Sequence, residues 1–339
     1  MAILHVHQVG PGVTVQDLGR PGWTARGLSR GGAADRLAVL EAATLLGAPA
    51  RHAVLEMMGF GGRFSTDQDM RIALTGAQMQ ADIDGVPVLH GASQLLRVGQ
   101  TLTIGGARKG VYGYLGIAGG LQTARVMESR AAHLTAGIGG VLESGMTLPI
   151  GSDPDPYCGP QTLTVEDRLG GGIIHVMPGP QTDYFTSNTL TTFENTTFTR
   201  SPRGNRQGVR LDYDGPGFTM TGQPNIVSDI IQPGDVQMTG DGVPYVLLAE
   251  CQTIGGYPRI GTVIPADLPK VAQAMPGVNL QFQWLTVDQA DSTAQSISSM
   301  MQDLSGSCHP LLRDPHDIAD LLSYQLISGT TRGDDLERP

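Results

Sequence analysis

Two stretches of this chain, LLRVGQTLTIGGARKGVYGYLGIAGGL (95–121) and IIQPGDVQMTGDGVPYVLLAECQTIGGY (230–257), have their parts in the same order. Each runs from a glycine–polar pair through a short strand-like segment to a glycine turn. Each then continues through a tyrosine-bearing apolar segment to a glycine pair. Gly99 and Gly105 recur as Gly234 and Gly240, both 135 positions later, and Tyr114 falls on Tyr245 after a loop shorter by four. Weaker echoes join VGPGVTVQDLG (9–19) to MPGPQTDYF (177–185) and SRGGAADRL (29–37) to NRQGVRL (205–211). Several echoes in one order point to an internal duplication. A chain built this way must make one kind of unit twice.

The unit reads as β. QTLTIGG, VYGYLGIAG, DVQMTG and PYVLLAE are short, β-branched or aromatic, and bounded by glycine or proline. Glycine, at 47 of 339 residues, is about twice its usual share, whereas charged residues, at 16%, fall below the usual ~25%. That composition suits many short strands joined by tight turns. FENTTFTRSP adds a Thr-rich, edge-like strand.

Helices are few. AADRLAVLEAATLLG (33–47) places Leu37, Leu40 and Thr44 on one face and stops at Gly47 before Pro49. DLPKVAQAM starts at Asp267 as N-cap, with Pro269 in the tolerant first turn. DPHDIADLLSYQLI has Asp314 as cap and Pro315 at its first position. The expected organisation is mainly β with a few helices: a first β-barrel over 1–150, a linker over 151–165, a second β-barrel over 166–288 and a helical tail over 289–339.

A net charge of −10 argues against a general nucleic-acid or anionic-membrane binder. The N-terminus MAILHVHQVG lacks a basic segment followed by an apolar core, and no apolar run approaches ~18 residues, so a cytoplasmic location is expected. The three cysteines, Cys158, Cys251 and Cys308, lack metal-ligand spacing. GGARKG lacks the hydroxyl and spacing of a phosphate-binding loop. Apart from Lys109 and Lys270, all 22 basic residues are arginine, whose planar fork suits carboxylates and phosphates.

Several motifs carry candidate chemistry. TVQDLGRPG sets Asp17, for proton handling, three residues before Arg20, a candidate for a substrate carboxylate. NRQGVRL supplies Arg206 and Arg210 for the same purpose. CQTIGGYP sets Gln252 and Thr253 before Gly255 and Gly256, whose bare backbone N–H groups can approach an electron-rich oxygen, with Tyr257 beside them. GLSRG (27–31) formally matches a nucleophile elbow at Ser29, but RPGWTAR before it is not a buried strand, so a chance match is expected. His5 and His7 alternate on one strand without a third ligand. Cys251 has no clear base nearby in sequence, with His133 and His175 remote.

Taken in order, TVQDLGRPG, SRGGAADRLAV, AVLEMMGFGGRF, GYLGIAGGL, ESRAAHLTAGIGG, MPGPQTDYF, NRQGVRL and CQTIGGYPRIGTVIPADL resemble the biotin-dependent carboxyltransferase-like family. It is also called the KipA or allophanate-hydrolase-subunit-2 family, and its bacterial members include the C subunit of 5-oxoprolinase. The resemblance covers about residues 5–285 and implies tandem cyclophilin-like barrels. Glu250 and Cys251 stand where the family usually has an acidic–basic pair.

The resemblance implies that the protein helps open 5-oxo-L-proline to glutamate, together with a smaller KipI-like companion and an ATP-using hydrolase subunit. No cofactor would then be bound directly. The alternatives it implies are a carboxyltransferase component of urea carboxylase type, served by biotin, or a non-catalytic regulator that binds the companion.

Overall fold

The structure, a computed structural model, describes residues 1–221 and 228–312. It is mainly β. In the first half, Ala2–Val9, Phe60–Thr66, Met70–Ile83, Ala92–Leu96, Leu102–Ile117 and Thr147–Ile150 belong to one eleven-stranded sheet. Its spine is the antiparallel pair Met70–Ile83 and Leu102–Ile117, in register from Ile72 opposite Ile117 to Ile83 opposite Leu102, with three register shifts. Gly76 sits at the first shift with φ 74°, and a Cβ there would lie 2.5 Å from the Tyr112 carbonyl. Only glycine allows both the conformation and the approach.

In the second half, Gly172–Met177, Arg259–Val263, Asp235–Met238, Pro244–Leu247, Gly208–Asp212, Thr197–Asn205 and Asn279–Trp284 close into a barrel in that order. The ring is completed by a parallel pairing of Gly172–Met177 with Asn279–Trp284. Aromatic packing fills it, with Phe193 stacked on Phe282 at 4.6 Å between ring centroids.

FENTTFTRSP differs from its expectation. Phe193–Asn195 ends a helix, Ser187–Asn195, capped by Thr186, and the strand Thr197–Asn205 is paired on both sides. Barrel closure removes the edge that its threonines suggested. The echoed segments also diverge. Leu102–Ile117 is one long strand, whereas its counterpart folds into the hairpin Asp235–Met238 and Pro244–Leu247. Gly119 and Gly120 both have positive φ, whereas Gly255 lies in the short strand Ile254–Gly255, paired with Asp229–Ile230.

The two halves share a core. Leu18, Val39 and Tyr114 belong to the same buried cluster as Phe193, Val236 and Ile260. The helix Arg36–Leu45 is packed into it and is buried nearly all round, from Ala38 to Ala43, rather than along the expected narrow face. Asp35 caps this helix by accepting from Ala38 N. Arg168, from the second half, bonds both Asp35 and Glu41. Gln273 accepts from Val111 N and Tyr112 N and donates to Asp35. Asp267 occupies the N-cap position of Leu268–Gln273 but makes no side-chain cap bond to the helix backbone; its carboxylate accepts from the His175 backbone N–H, bonds the His175 ring and pairs with Lys270 at 2.7 Å.

Gln161–Leu163, within the expected linker, forms a strand on the first sheet. Beyond the barrel come the helices Val287–Ser292 and Ile297–Gly306 and the strand Cys308–Pro310, which pairs with Gln161–Leu163. Met301 and Leu304 pack against the cores of both halves. The helix expected to start at Asp314 lies outside the described residues. Among those described, no helix is long and apolar enough to cross a membrane.

Candidate functional site

Three glycine-bounded loops of the first half meet in front of the shared core. The loop after Thr14–Gln16 is pinned from inside by Asp17, which accepts from Gly19 N at 2.8 Å, Ser129 Oγ at 2.7 Å and Arg130 N at 2.7 Å. Two of these donors fill Oδ1 and one bonds Oδ2, which leaves one acceptor site of the carboxylate, on Oδ2. Arg20 is 1% exposed; its Nη2 donates to the Ala131 carbonyl and its Nε to Val126 O at 3.5 Å. Its Nη1 is buried without a partner among the described residues. Burial pushes its pKa down, against the pull of Asp17 and Glu250.

These loops wall a cavity of about 630 Å³. Arg20, Arg26, Arg30, Arg51, Arg125 and Arg130 line it, against two carboxylates, Asp17 and Glu128. In a chain of net charge −10, six guanidinium groups on one cavity concentrate positive potential where a small anion would enter. They crowd one another. Arg130 is pushed down by burial and by Arg125, and Arg30 by burial against the pull of Asp17; Arg36, which does not line the cavity, is pushed down to about 10 by burial and by Arg30. A bound anion would offset both effects.

Behind the cavity lies a buried ion cluster that joins the halves. Arg206 donates from Nε to Glu250 Oε1 at 2.6 Å, from Nη1 to Glu56 Oε1, and from Nη2 to Gly32 O at 2.5 Å. Burial opposes its charge, but Glu56 and Glu250 overcome this and hold its pKa above normal. Arg206 is thus committed to two carboxylates rather than open to a ligand. Glu56 Oε2 also accepts from Ala34 N and the Tyr114 hydroxyl. Arg210 is engaged elsewhere, at 2.9 Å from Asp212 and 3.8 Å from Asp241.

The segment 252–257 does not line the arginine cavity. Gln252 and Gly256 are exposed, Tyr257 is 53% exposed, and Thr253 is buried with its carbonyl accepting from Ile231 N. Gly256 is not sealed in. At Gly255 a Cβ would come within 2.9 Å of Gln237 Nε2 and 3.0 Å of Ile231. Close packing against these side chains is a sufficient reason for that glycine. The predicted residues therefore separate into Asp17 and Arg20 at the cavity, Arg206 behind it, and Arg210 and 252–257 away from it.

Sequence reasoning missed the remaining cavity arginines and a pair it had set aside. Ser29 Oγ lies 2.9 Å from His133 Nε2, and His133 Nδ1 lies 3.8 Å from Glu250 Oε2. The order mimics a nucleophilic triad, but the hydrogen bonds run the other way. His133 Nδ1 accepts from Ala136 N, so the ring proton is on Nε2 and Ser29 accepts it. At 3.8 Å the carboxylate makes no hydrogen bond to the ring. Burial, with Arg20 and Arg206, lowers the His133 pKa, and Glu250 opposes them. No strand precedes Ser29, in keeping with the chance match expected there. Cys251 is buried, its thiol pushed up to about 12 by burial and by Asp235, so it is not an activated nucleophile. His5 and His7 join no group of three metal-ligating side chains among the described residues.

The family model for the carboxyltransferase domain, subdomain A and B, matches residues 26–284. The chain belongs to that family. It is 32% identical over 311 residues to the Escherichia coli protein named as the C subunit of 5-oxoprolinase, covering 91% of this chain and 99% of the relative. The Haemophilus influenzae protein of the same name is also 32% identical, over 82% of this chain and 89% of the relative. The Saccharomyces cerevisiae urea amidolyase is 26% identical over 88% of this chain, which spans 17% of that larger protein. Among solved structures, TTHA0988 superposes with a TM-score of 0.76 at 30% identity, over 84% of this chain and 56% of that one. The Kluyveromyces lactis urea amidolyase shares the fold, with a TM-score of 0.80 at 22% identity over 92% of this chain and 21% of that one.

Proposed function

We propose that the chain is the C subunit of an ATP-dependent 5-oxoprolinase, which opens 5-oxo-L-proline to glutamate with a smaller companion and an ATP-using subunit. The observation that carries this reading is the arginine-lined cavity, taken with the near end-to-end match to proteins of that name. 5-Oxoproline brings a carboxylate that a guanidinium fork can hold. Urea, the substrate class of the runner-up carboxyltransferase reading, is neutral and has no such group.

In this reading the carboxylate of the substrate sits among Arg26, Arg30, Arg51 and Arg125. Asp17 holds the shape of the wall through Gly19, Ser129 and Arg130. Arg20, buried and short of one partner, adds fixed positive charge beneath the ligand. As the lactam carbonyl becomes tetrahedral, its oxygen gains negative charge, which the cavity stabilises. ATP enters through the partner subunit.

The test is reconstitution. The chain is co-purified with the companion and ATP-using subunits, and glutamate formation from 5-oxoproline with ATP is measured against carboxylation of urea with carboxybiotin. Glutamate formation that requires all three subunits is expected. Turnover of urea alone would make the chain a carboxyltransferase component, and turnover of neither would leave a binding role.

A further inference from the structure

Two consecutive residues in the cavity wall have a backbone conformation that side-chain-bearing residues rarely adopt. Met127 has φ 53° and Glu128 φ 64°. They are the centre of a two-residue turn, closed by Val126 N to Ser129 O at 2.8 Å and Ser129 N to Val126 O at 3.3 Å. Positive φ at both central positions defines a turn in which Asn-Gly or Asp-Gly is strongly preferred. The chain follows that preference elsewhere: Asp84, the other non-glycine residue with positive φ among those described, is followed by Gly85 in the hairpin between Ile83 and Val86. In a protein with 47 glycines, a glutamate held at φ 64° is strained where a glycine would relax.

The strain is locked in from both sides. Arg20 Nε donates to Val126 O, and Asp17 holds Ser129 Oγ and Arg130 N. Glu128 itself lines the cavity and has no hydrogen-bond or ion-pair partner among the described residues, although six arginines share the wall. Asp17, the other wall carboxylate, already accepts three hydrogen bonds. Glu128, which is exposed, is therefore the wall carboxylate with no protein donor among the described residues.

We propose that Glu128 is the specificity residue of this cavity, accepting a hydrogen bond from an N–H next to the ligand's carboxylate. The class selected is the cyclic amide of an α-amino acid, over the isosteric lactone. The arginines hold the acid group, and Glu128 takes the N–H. A lactone ring oxygen in that place offers no donor and sets its own lone pairs against a carboxylate, so it is rejected twice. This assignment rests on the cavity being the substrate site of the proposed function.

The test measures dissociation constants by calorimetry on the assembled complex. The probes are 5-oxo-L-proline and its ring-oxygen analogue, the lactone with the same carboxylate. Wild type should prefer the lactam. Glu128→Gly suits the positive φ, so its melting temperature should not fall. It should lose about 10- to 100-fold of the preference, the range of a hydrogen bond to a charged group. An unchanged preference in Glu128→Gly with intact melting overturns the Glu128 assignment. A triple variant, Arg26→Gln, Arg51→Gln and Arg125→Gln, should weaken both ligands alike. If it weakens both while Glu128→Gly leaves the preference intact, only the role of Glu128 fails. If it weakens neither, or wild type binds neither ligand, the cavity is not the substrate site and both readings fall.

Discussion

Replacing Arg206 by methionine removes the cation from a buried cluster and leaves Glu56 and Glu250 facing one another without it. Their side chains are 3% and 2% exposed, and Arg206 lies within 2.6 Å of Glu250. Breaking a buried pair from one side costs about 3–5 kcal/mol, because the remaining charge stays desolvated. At about 2.1 cal/mol/K per residue, the 339 residues unfold with an entropy of about 0.7 kcal/mol/K. The expected fall in melting temperature is then about 4–7 °C. Scanning calorimetry of Arg206→Met at pH 7 measures it. The triple variant Glu56→Gln, Arg206→Met, Glu250→Gln removes all three charges and should recover most of the loss.

The pH dependence has opposite signs in the two proteins. In wild type, burial pushes the Glu250 pKa up, but Arg206 more than compensates and leaves it below normal. Its contribution is therefore present above the unfolded value, about 4.3, and is lost as pH falls through the lower folded value. In Arg206→Met the Glu250 carboxylate lacks its cation and its folded value rises. The deficit of the variant should then shrink as pH falls toward 5. A loss under 1 °C, or a triple variant no more stable than the single one, would refute the reasoning that desolvated charge governs this cluster.

Three further outcomes are expected. Ser29→Ala leaves the His133 Nε2–H without its acceptor, which should lower stability by about 1–3 kcal/mol in urea unfolding; a loss of activity on the scale of a triad nucleophile would show that the tautomer is wrong. Cys251, pushed up to about 12 by burial, should resist iodoacetamide at pH 8 while Cys158 and Cys308 are alkylated, as read by peptide mass spectrometry; prompt labelling of Cys251 would contradict its burial. His52 is pushed down to about 4 by burial, so it should stay neutral in NMR titration from pH 8 to 5. Its folded value is below its unfolded value, so its contribution to stability is present above about 6.5 and declines as pH falls toward 4; titration near 6.5 in the folded protein would oppose this.

Much of the architecture was legible locally. Strand segments such as DVQMTG and PYVLLAE carried their own turn signals, and the helix expected over 33–47, which forms over Arg36–Leu45, stops before Gly47 as its sequence required. Tertiary packing decided what those elements faced. The helix is buried nearly all round because the second half covers the side that its pattern left half-polar, with Arg168 neutralising Glu41 and Asp35. Thr197–Asn205 is not an edge because the chain closes a ring through Asn279–Trp284.

The candidate site divides the same way. TVQDLGRPG drew attention to Asp17 and Arg20 through residue type and close spacing, and both line the cavity. Nothing local to 125–130 shows that Arg125, Glu128 and Arg130 share that wall, because more than 100 residues separate them from Asp17. Nor does NRQGVRL show that Arg206 is spent on Glu56 and Glu250 rather than left for a ligand. The amino-acid order by itself determined elements such as the strands in DVQMTG and PYVLLAE and the helix ending before Gly47, since those preferences act over a few residues, but it did not show that Phe193–Asn195 ends a helix. Which charges are paired and which stay open to a small molecule was settled only by the meeting of distant segments, because electrostatic pairing depends on separation in space and on exclusion of water.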